Sequence, residues 1–193
     1  QPEGRGRVFG GQVIAQALMA AARSTDADRL PHSLHAYFMR AGDEQVPIIY
    51  RVARDYDGGS FSTRRVVAFQ KGEPILNLAS SFQRLEVGLE HQLRMPDVPP
   101  PEELPSEAEE RRKVASQVPE HLREFFVRPR PFETRHASPW SPLEDRPRDP
   151  AQNVWFRTVA PVQGGPDMHR AMLAWASDMY LLGTTMRPHG LSW

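Results

Sequence analysis

Asp178 is the residue in this chain whose type and setting best suit chemistry. It lies in the stretch from Pro166 to Gly183, and on a helical wheel it falls among Ala171, Ala174, Trp175, Leu181 and Leu182. Pro166 suits a first helical turn, Asp167 complements the positive end of the helix dipole, and Gly183 is a natural left-handed stop. The pattern predicts one helix over 166–183 with little surface facing water. A carboxylate in such a wall must find hydrogen-bond donors or become neutral, because desolvation disfavours its charged form. Asp178 is therefore a candidate general base. A structural aspartate that accepts backbone N–H bonds or meets an arginine fits the same pattern equally well.

Other chemically capable residues are less persuasive. Ser177 adjoins Asp178, but neighbouring helical residues diverge, and no Gly-x-Ser-x-Gly elbow occurs. His32 and His35 are three apart at or in a strand, so their side chains are expected on opposite faces, unable to chelate one metal as a pair. Each reads as a hydrogen-bonded structural histidine, and no metal site is expected. Arg64 and Arg65 also alternate faces of a strand, and a solvated sheet surface or a subunit contact is the expected setting. The charged run 107–113 reads as the outer face of a surface helix. Gly10-Gly11 matches no phosphate-binding motif, yet it would let a helix start approach another group closely, with N–H groups pointing outward.

The elements that must position these residues are legible in order. Residues 8–23 are apolar around the whole wheel apart from Gln12, Gln16 and Arg23, as expected of a helix enclosed by other structure. Strand-like runs follow at 34–40, 46–55, 60–70 and 74–84, separated by turns rich in glycine and aspartate. This implies an α+β unit in which a curved antiparallel sheet wraps one helix. Pro96, Pro99, Pro100, Pro101 and Pro105 then mark an extended connection, in which Ser106 and Glu109 form a capping-box signature for a polar helix to about residue 118. Strands at 132–137 and 153–160 precede the 166–183 helix. The expected domains are a first unit over 1–86, a proline-rich linker over 87–131 and a second unit over 132–193. A faint internal repeat, with Phe9-Gly10-Gly11 set against His169-Arg170-Ala171, pairs the two helices and puts Leu18 opposite Asp178.

Composition narrows the function classes. The chain has 193 residues, 39% hydrophobic and 25% charged, with 24 basic and 24 acidic side chains. That balance argues for no nucleic-acid partner and no polybasic membrane surface. The absence of cysteine excludes disulfides, thiolate nucleophiles and Cys-ligated zinc. No apolar run approaches a bilayer span and the N-terminus is no signal peptide, so a cytoplasmic protein is the expectation. The missing initiator methionine and the abrupt end at Trp193 suggest part of a longer chain.

Five motifs in sequence carry a resemblance. Arg7-Val-Phe-Gly-Gly-Gln-Val13, His32-Ser-Leu-His-Ala-Tyr-Phe38 with Gly42-Asp43, Asp57-Gly-Gly-Ser-Phe-Ser-Thr-Arg-Arg-Val66, Ala79-Ser-Ser-Phe-Gln83, and Leu173-Ala-Trp-Ala-Ser-Asp178 followed by Arg187-Pro-His-Gly190 together resemble the acyl-CoA thioesterase II family. The resemblance implies a double hotdog, two tandem units of a long central helix wrapped by a curved antiparallel sheet. The second unit, and the first strand of the first, would be incomplete here. It implies hydrolysis of fatty acyl-CoA to free fatty acid and CoA, without a cofactor. Asp178 matches the aspartate that the family uses, with a hydroxyl residue and a glutamine, to position and activate water; those two partners belong to strands after the Pro-His-Gly motif. His32, beside a loop, is a candidate substrate-binding residue lining the acyl or CoA channel. The implied partners are the acyl-CoA substrate and further copies of the chain in a homo-oligomer.

A thioester carbonyl is already electrophilic, so an oriented water, a base and donors for the developing oxyanion are sufficient. The rival from a different class is a non-catalytic hotdog protein that binds acyl-CoA or acts as a scaffold. A hotdog hydratase would want an Asp and a His acting together, and no matching local motif appears.

Overall fold

The computed structural model describes residues 6–138, 140–143 and 146–191, and the chain divides into two units. The first comprises the chain up to Glu90 together with Gln163–Met179; the second comprises His91–Val162 and the residues from Tyr180 onward.

In the first unit, helix α1 (Gly10–Ala22) precedes strands β1 (Arg29–Phe38), β2 (Ile49–Asp57), β3 (Phe61–Gln70) and β4 (Glu73–Arg84). The strands form one antiparallel sheet in the order β1-β4-β3-β2. Its register is pinned by a two-residue hairpin between β3 and β4. Lys71 (φ 51°) and Gly72 (φ 81°) both have positive φ, the conformation whose twist matches that of paired strands. Alternation along β3 then sends Ser62, Arg64, Val66, Ala68 and Gln70 inward. Val66, Ala68, Leu76, Leu78 and Phe82 of the sheet close over Val13, Ile14, Ala17, Leu18 and Ala21 of α1. Each large side chain fully buried there contributes on the order of 2 kcal/mol. The apolar wheel of α1 thus has its cause: sheet on one side, and on another the helix α4 (Pro166–Ser177).

Two inward positions carry charge, which overturns the expected solvated setting of Arg64. Its side chain is 1% exposed and donates to the Ser24 carbonyl and hydroxyl, the Tyr56 carbonyl and the Asp57 carboxylate. Arg29, also buried, donates to the carbonyls of Gly58 and Phe61 and to Ser62 Oγ. The hydrogen bonds from Ser62 and Arg64 hold the Asp57 carboxyl below its usual range. Both guanidiniums serve as staples between the β2–β3 hairpin, β1 and the end of α1. Arg65, on the opposite face, is exposed and pairs with Asp55.

The two histidines are also placed differently from expectation. The β1–β4 register shifts between Pro31 and Ser33, so His32 sits at a bulge. The extra residue turns His32 onto the same outer face as His35: His32 Nε2 lies 2.8 Å from Ser81 Oγ, while His35 pairs with exposed Ala79.

The predicted 166–183 helix is two helices. α4 ends at Ser177, where the Ser177 hydroxyl bonds back to the Ala174 carbonyl and Asp178 becomes the C-cap. A separate helix occupies Leu181–Met186. α4 (Pro166–Ser177) is also less buried than its composition implies. Ala171, Ala174 and Ala176 are enclosed, whereas Leu173 is 59% exposed. Small residues set the contact with α1. A Cβ on Gly11 would lie 2.3 Å from the Trp175 carbonyl oxygen, and the Phe9 and Trp175 rings pack at 4.7 Å. Only glycine allows backbones this close.

The second unit holds α2 (Glu107–Val114), α3 (Glu120–Val127), the antiparallel pair β5 (Phe132–His136) and β6 (Val154–Thr158), and α5 (Leu181–Met186). Ser106 and Glu109 make both halves of the capping box. α3 is an element that the proline-rich texture concealed. Glu107 is the unit's polar centre, not part of a solvated face. It is 4% exposed, and its carboxylate accepts from Arg111, Arg130, Thr134, His136 and Tyr180 at 2.8–3.4 Å. Burial alone would raise its pKa; the His136 hydrogen bond and the Arg111 and Arg130 charges outweigh that and hold it far below the carboxylate range. Burial, with the Glu107 charge beside it, pushes the Tyr180 phenol up.

Candidate active site

The chain around Asp178 explains how a helix end becomes a site. Asp178 caps α4 with φ −84° and ψ −2°. It reaches the start of α1. A Cβ on Gly10, the first residue of α1, would lie 2.7 Å from Asp178 Oδ2 and 2.6 Å from the tip of the Phe38 ring. A methyl group at position 10 would displace the Phe38 ring tip or the Asp178 carboxylate.

The electrostatics follow from the two helices. Asp178 stands at the negative end of its own α4, an unfavourable place for a carboxylate. It is simultaneously against the positive end of α1, which has no acidic residue in its first turn and no side-chain cap. The acid that complements the α1 dipole thus comes from more than 150 positions along the chain.

Asp178 borders a cavity of about 410 Å³, whose other walls include Val8, Val13, Phe38, Gly42 and Ile75. Apolar side chains dominate, with one carboxylate at the edge. The loop after β1 forms one wall and is held from beneath by Gln70, an inward-facing polar residue. Gln70 Nε2 donates to the carbonyls of Asp43 and Val46 at 2.8 and 2.6 Å, and its Oε1 accepts from the Asp43 N–H. The Val8 N–H donates to the Gly42 carbonyl at 2.9 Å, and Arg7 bridges Asp43. Arg40, at the rim, is tied to the Pro74 carbonyl and Glu73.

The structure therefore brings Asp178 together with the Gly10 turn and the Gly42 loop. It does not bring His32 to this cavity. Sequence reasoning missed Gln70; its signal was a lone amide in phase with Val66 and Ala68.

A cavity that combines the Val8, Val13, Phe38, Met39 and Ile75 side chains with a carboxylate, an arginine and a helix N-terminus suits a ligand with a hydrocarbon part and a polar junction. Comparison with known proteins gives that description a family. The N-terminal domain of the acyl-CoA thioesterases matches residues 2–83, and their C-terminal domain matches residues 97–193. The chain belongs to the acyl-CoA thioesterase family. It is 40% identical over 183 residues to acyl-CoA thioesterase 2 of Haemophilus influenzae, covering 95% of this chain and 64% of that protein. It is 40% identical over 192 residues to acyl-coenzyme A thioesterase 8 of Homo sapiens, covering 95% and 60%. The chain thus spans 60–64% of the length of these family members.

Among solved structures, the acyl-CoA thioesterase II TesB2 of Mycobacterium marinum is 38% identical with a TM-score of 0.72, over 95% of this chain and 64% of that one. A hotdog-fold protein from Alicyclobacillus acidocaldarius superposes with a TM-score of 0.71 at 20% identity, over 98% of this chain and 65% of that one. The α+β arrangement of helix and antiparallel sheet is that of the hotdog-fold thioesterases. Among the described residues no helix is long and apolar enough to cross a membrane.

Proposed function

We propose that the protein hydrolyses fatty acyl-CoA thioesters to free fatty acid and CoA, with Asp178 as the base that orients and deprotonates water. The observation that carries this reading is the Asp178 carboxylate against the Gly10 turn at the edge of an apolar cavity. The acyl chain lies along the cavity and its carbonyl sits near Asp178. Water attacks the carbonyl carbon and gives a proton to Asp178. The tetrahedral intermediate then collapses, breaking the C–S bond and releasing CoA thiolate, which takes up a proton. The N–H groups at the start of α1 present positive potential where oxyanion charge develops. The hydroxyl residue and the glutamine that the family resemblance implies complete the set from strands following Arg187-Pro-His-Gly190.

The same reading makes the whole protein a double hotdog in which α4 is the second central helix, acting as a cytoplasmic homo-oligomer. Family membership and the packing of α4 on α1 support the double hotdog. The test is thiol release by the full-length protein over a range of acyl-CoA lengths, with Asp178→Asn beside it. Wild-type turnover that disappears in the variant supports the assignment. Turnover retained by the variant removes Asp178 from the chemistry, and a wild-type protein that binds acyl-CoA without releasing thiol is a binding or scaffold protein.

A further inference from the structure

The glycines around the cavity differ in why they are glycines. At Gly10 and Gly11 an added Cβ would collide with neighbours at 2.3–2.9 Å, and Gly72 has a positive φ. Gly42 meets neither condition. Its φ is not positive, and a Cβ there would meet Val8 Cβ at 3.4 Å, Ile75 Cδ1 at 3.5 Å and Gln70 Oε1 at 3.6 Å, ordinary van der Waals contacts. Neither the turn nor the packing demands glycine at this buried position. The atoms nearest to that Cβ belong to Val8 and Ile75, which line the cavity as Gly42 does. A side chain at 42 would press on the Val8 and Ile75 side chains of that wall and on Gln70 behind it.

We propose that Gly42 is a specificity-determining residue: its missing side chain leaves room in the wall of the acyl-binding cavity and sets the longest acyl chain accepted. The inference rests on the acyl-CoA reading of the Asp178 site. The wall's chemistry identifies what lies against it. The Gly42 carbonyl is taken by the Val8 N–H, and the Ile75 carbonyl by the N–H groups of Met39 and Arg40. A hydrocarbon needs nothing from them, whereas the amides of a pantetheine arm would be left poorly paired against Val8 and Ile75. The hydrocarbon end therefore points to Gly42 and the thioester to Asp178. Gln70 holds the Gly42-Asp43 loop so that this wall does not give way.

The test uses full-length protein and kcat/KM for saturated acyl-CoA substrates from acetyl to palmitoyl, comparing wild type, Gly42→Ala, Gly42→Val and Ile75→Val. Losing room for one methylene lowers the ratio of long-chain to short-chain kcat/KM about fourfold, and Gly42→Val lowers it roughly tenfold or more. Ile75→Val removes the Cδ1 atom that faces position 42 and shifts the profile the other way, towards longer chains; it answers the question even where a Gly42 variant fails to fold. Profiles that superpose on the wild type, or losses uniform over all lengths, overturn the proposal. Failure of the hydrolase reading looks different, because no substrate is then turned over by the wild type. In that event the affinities of non-hydrolysable thioether acyl-CoA analogues still report the length profile, and an unchanged profile in Gly42→Val overturns the proposal in the same way.

Discussion

Glu107 opens a helix and Asp178 closes one, and the two acids meet opposite surroundings. Glu107 sits at the positive end of α2, and both of its oxygens are taken up by side chains of its own unit, from Arg111 to Tyr180. Asp178 sits at the negative end of α4, meets the start of α1, and borders a cavity. A carboxylate saturated by donors is locked in its charged form and holds structure together. The proposed hydrolysis asks something else of Asp178, which is to exchange a proton with water at a cavity edge. Burial by itself would point to Glu107, the more buried of the two.

The comparison is broken most decisively by crossing the two substitutions. Asp178→Asn is expected to lower kcat by about 10²- to 10⁴-fold, the range for losing a general base, while the melting temperature moves by no more than about 2 °C. Glu107→Ala is expected to do the reverse. Removing one member of a buried charged network leaves Arg111 and Arg130 uncompensated and costs about 3–5 kcal/mol, read as a lower urea midpoint. If Glu107→Ala abolished turnover at full stability, the roles assigned to the two acids would have to be exchanged.

Acid titration sharpens the contrast. The folded pKa of Glu107 is depressed, so on acidification the unfolded chain takes up this proton before the folded one does. The stability that Glu107 contributes is therefore complete above the ordinary carboxylate range and drains away as pH falls through that range towards the folded value. Melting temperatures of Glu107→Gln should fall less steeply than those of the wild type below about pH 5. Parallel acid limbs would show that the network has no net preference for the charged glutamate.

Helix packing supplies a smaller effect. Gly11→Ala forces a methyl group against the Trp175 carbonyl and should cost about 1–3 kcal/mol by overpacking, with a loss of activity that follows because α1 and α4 together hold Gly10 against Asp178. Normal stability in this variant would mean that the helices can separate without consequence.

The legibility of these features in the sequence tracks how local their causes are. The α1 helix, the four strands of the first sheet and the Ser106 cap come from short-range patterning, and each was found within a few residues of its true bounds, except that β1 starts at Arg29, ahead of a proline that masked it. Asp178 was legible as an acid in apolar company, but its place at a helix end was not. A wheel carries no information on where Ser177 will divert the helix through the Ala174 carbonyl. Arg29, Arg64, Gln70 and Glu107 were misread or missed for one shared reason. Their partners include backbone carbonyls and side chains up to 73 positions away in sequence, and a charged residue looks solvated until those partners are known.

His32 gives the smallest expected effect and the finest test of where the site ends. The bulge after Pro31 turns its ring to the outer face of the sheet, where it bonds Ser81 and meets the edge of Phe61, while the cavity opens beside the far end of β1 at Phe38. A group so exposed contributes little to stability, and His32→Ala should change it by less than about 0.5 kcal/mol. If substrate is confined to the Asp178 cavity, kcat/KM should also stay within about twofold of the wild type, well under one hydrogen bond's worth of binding. A KM raised about tenfold at unchanged kcat would instead mean that the CoA portion runs across the outer face of β1, binding equally in ground and transition states. The site would then have two halves, with Asp178 acting in one and His32 holding the other.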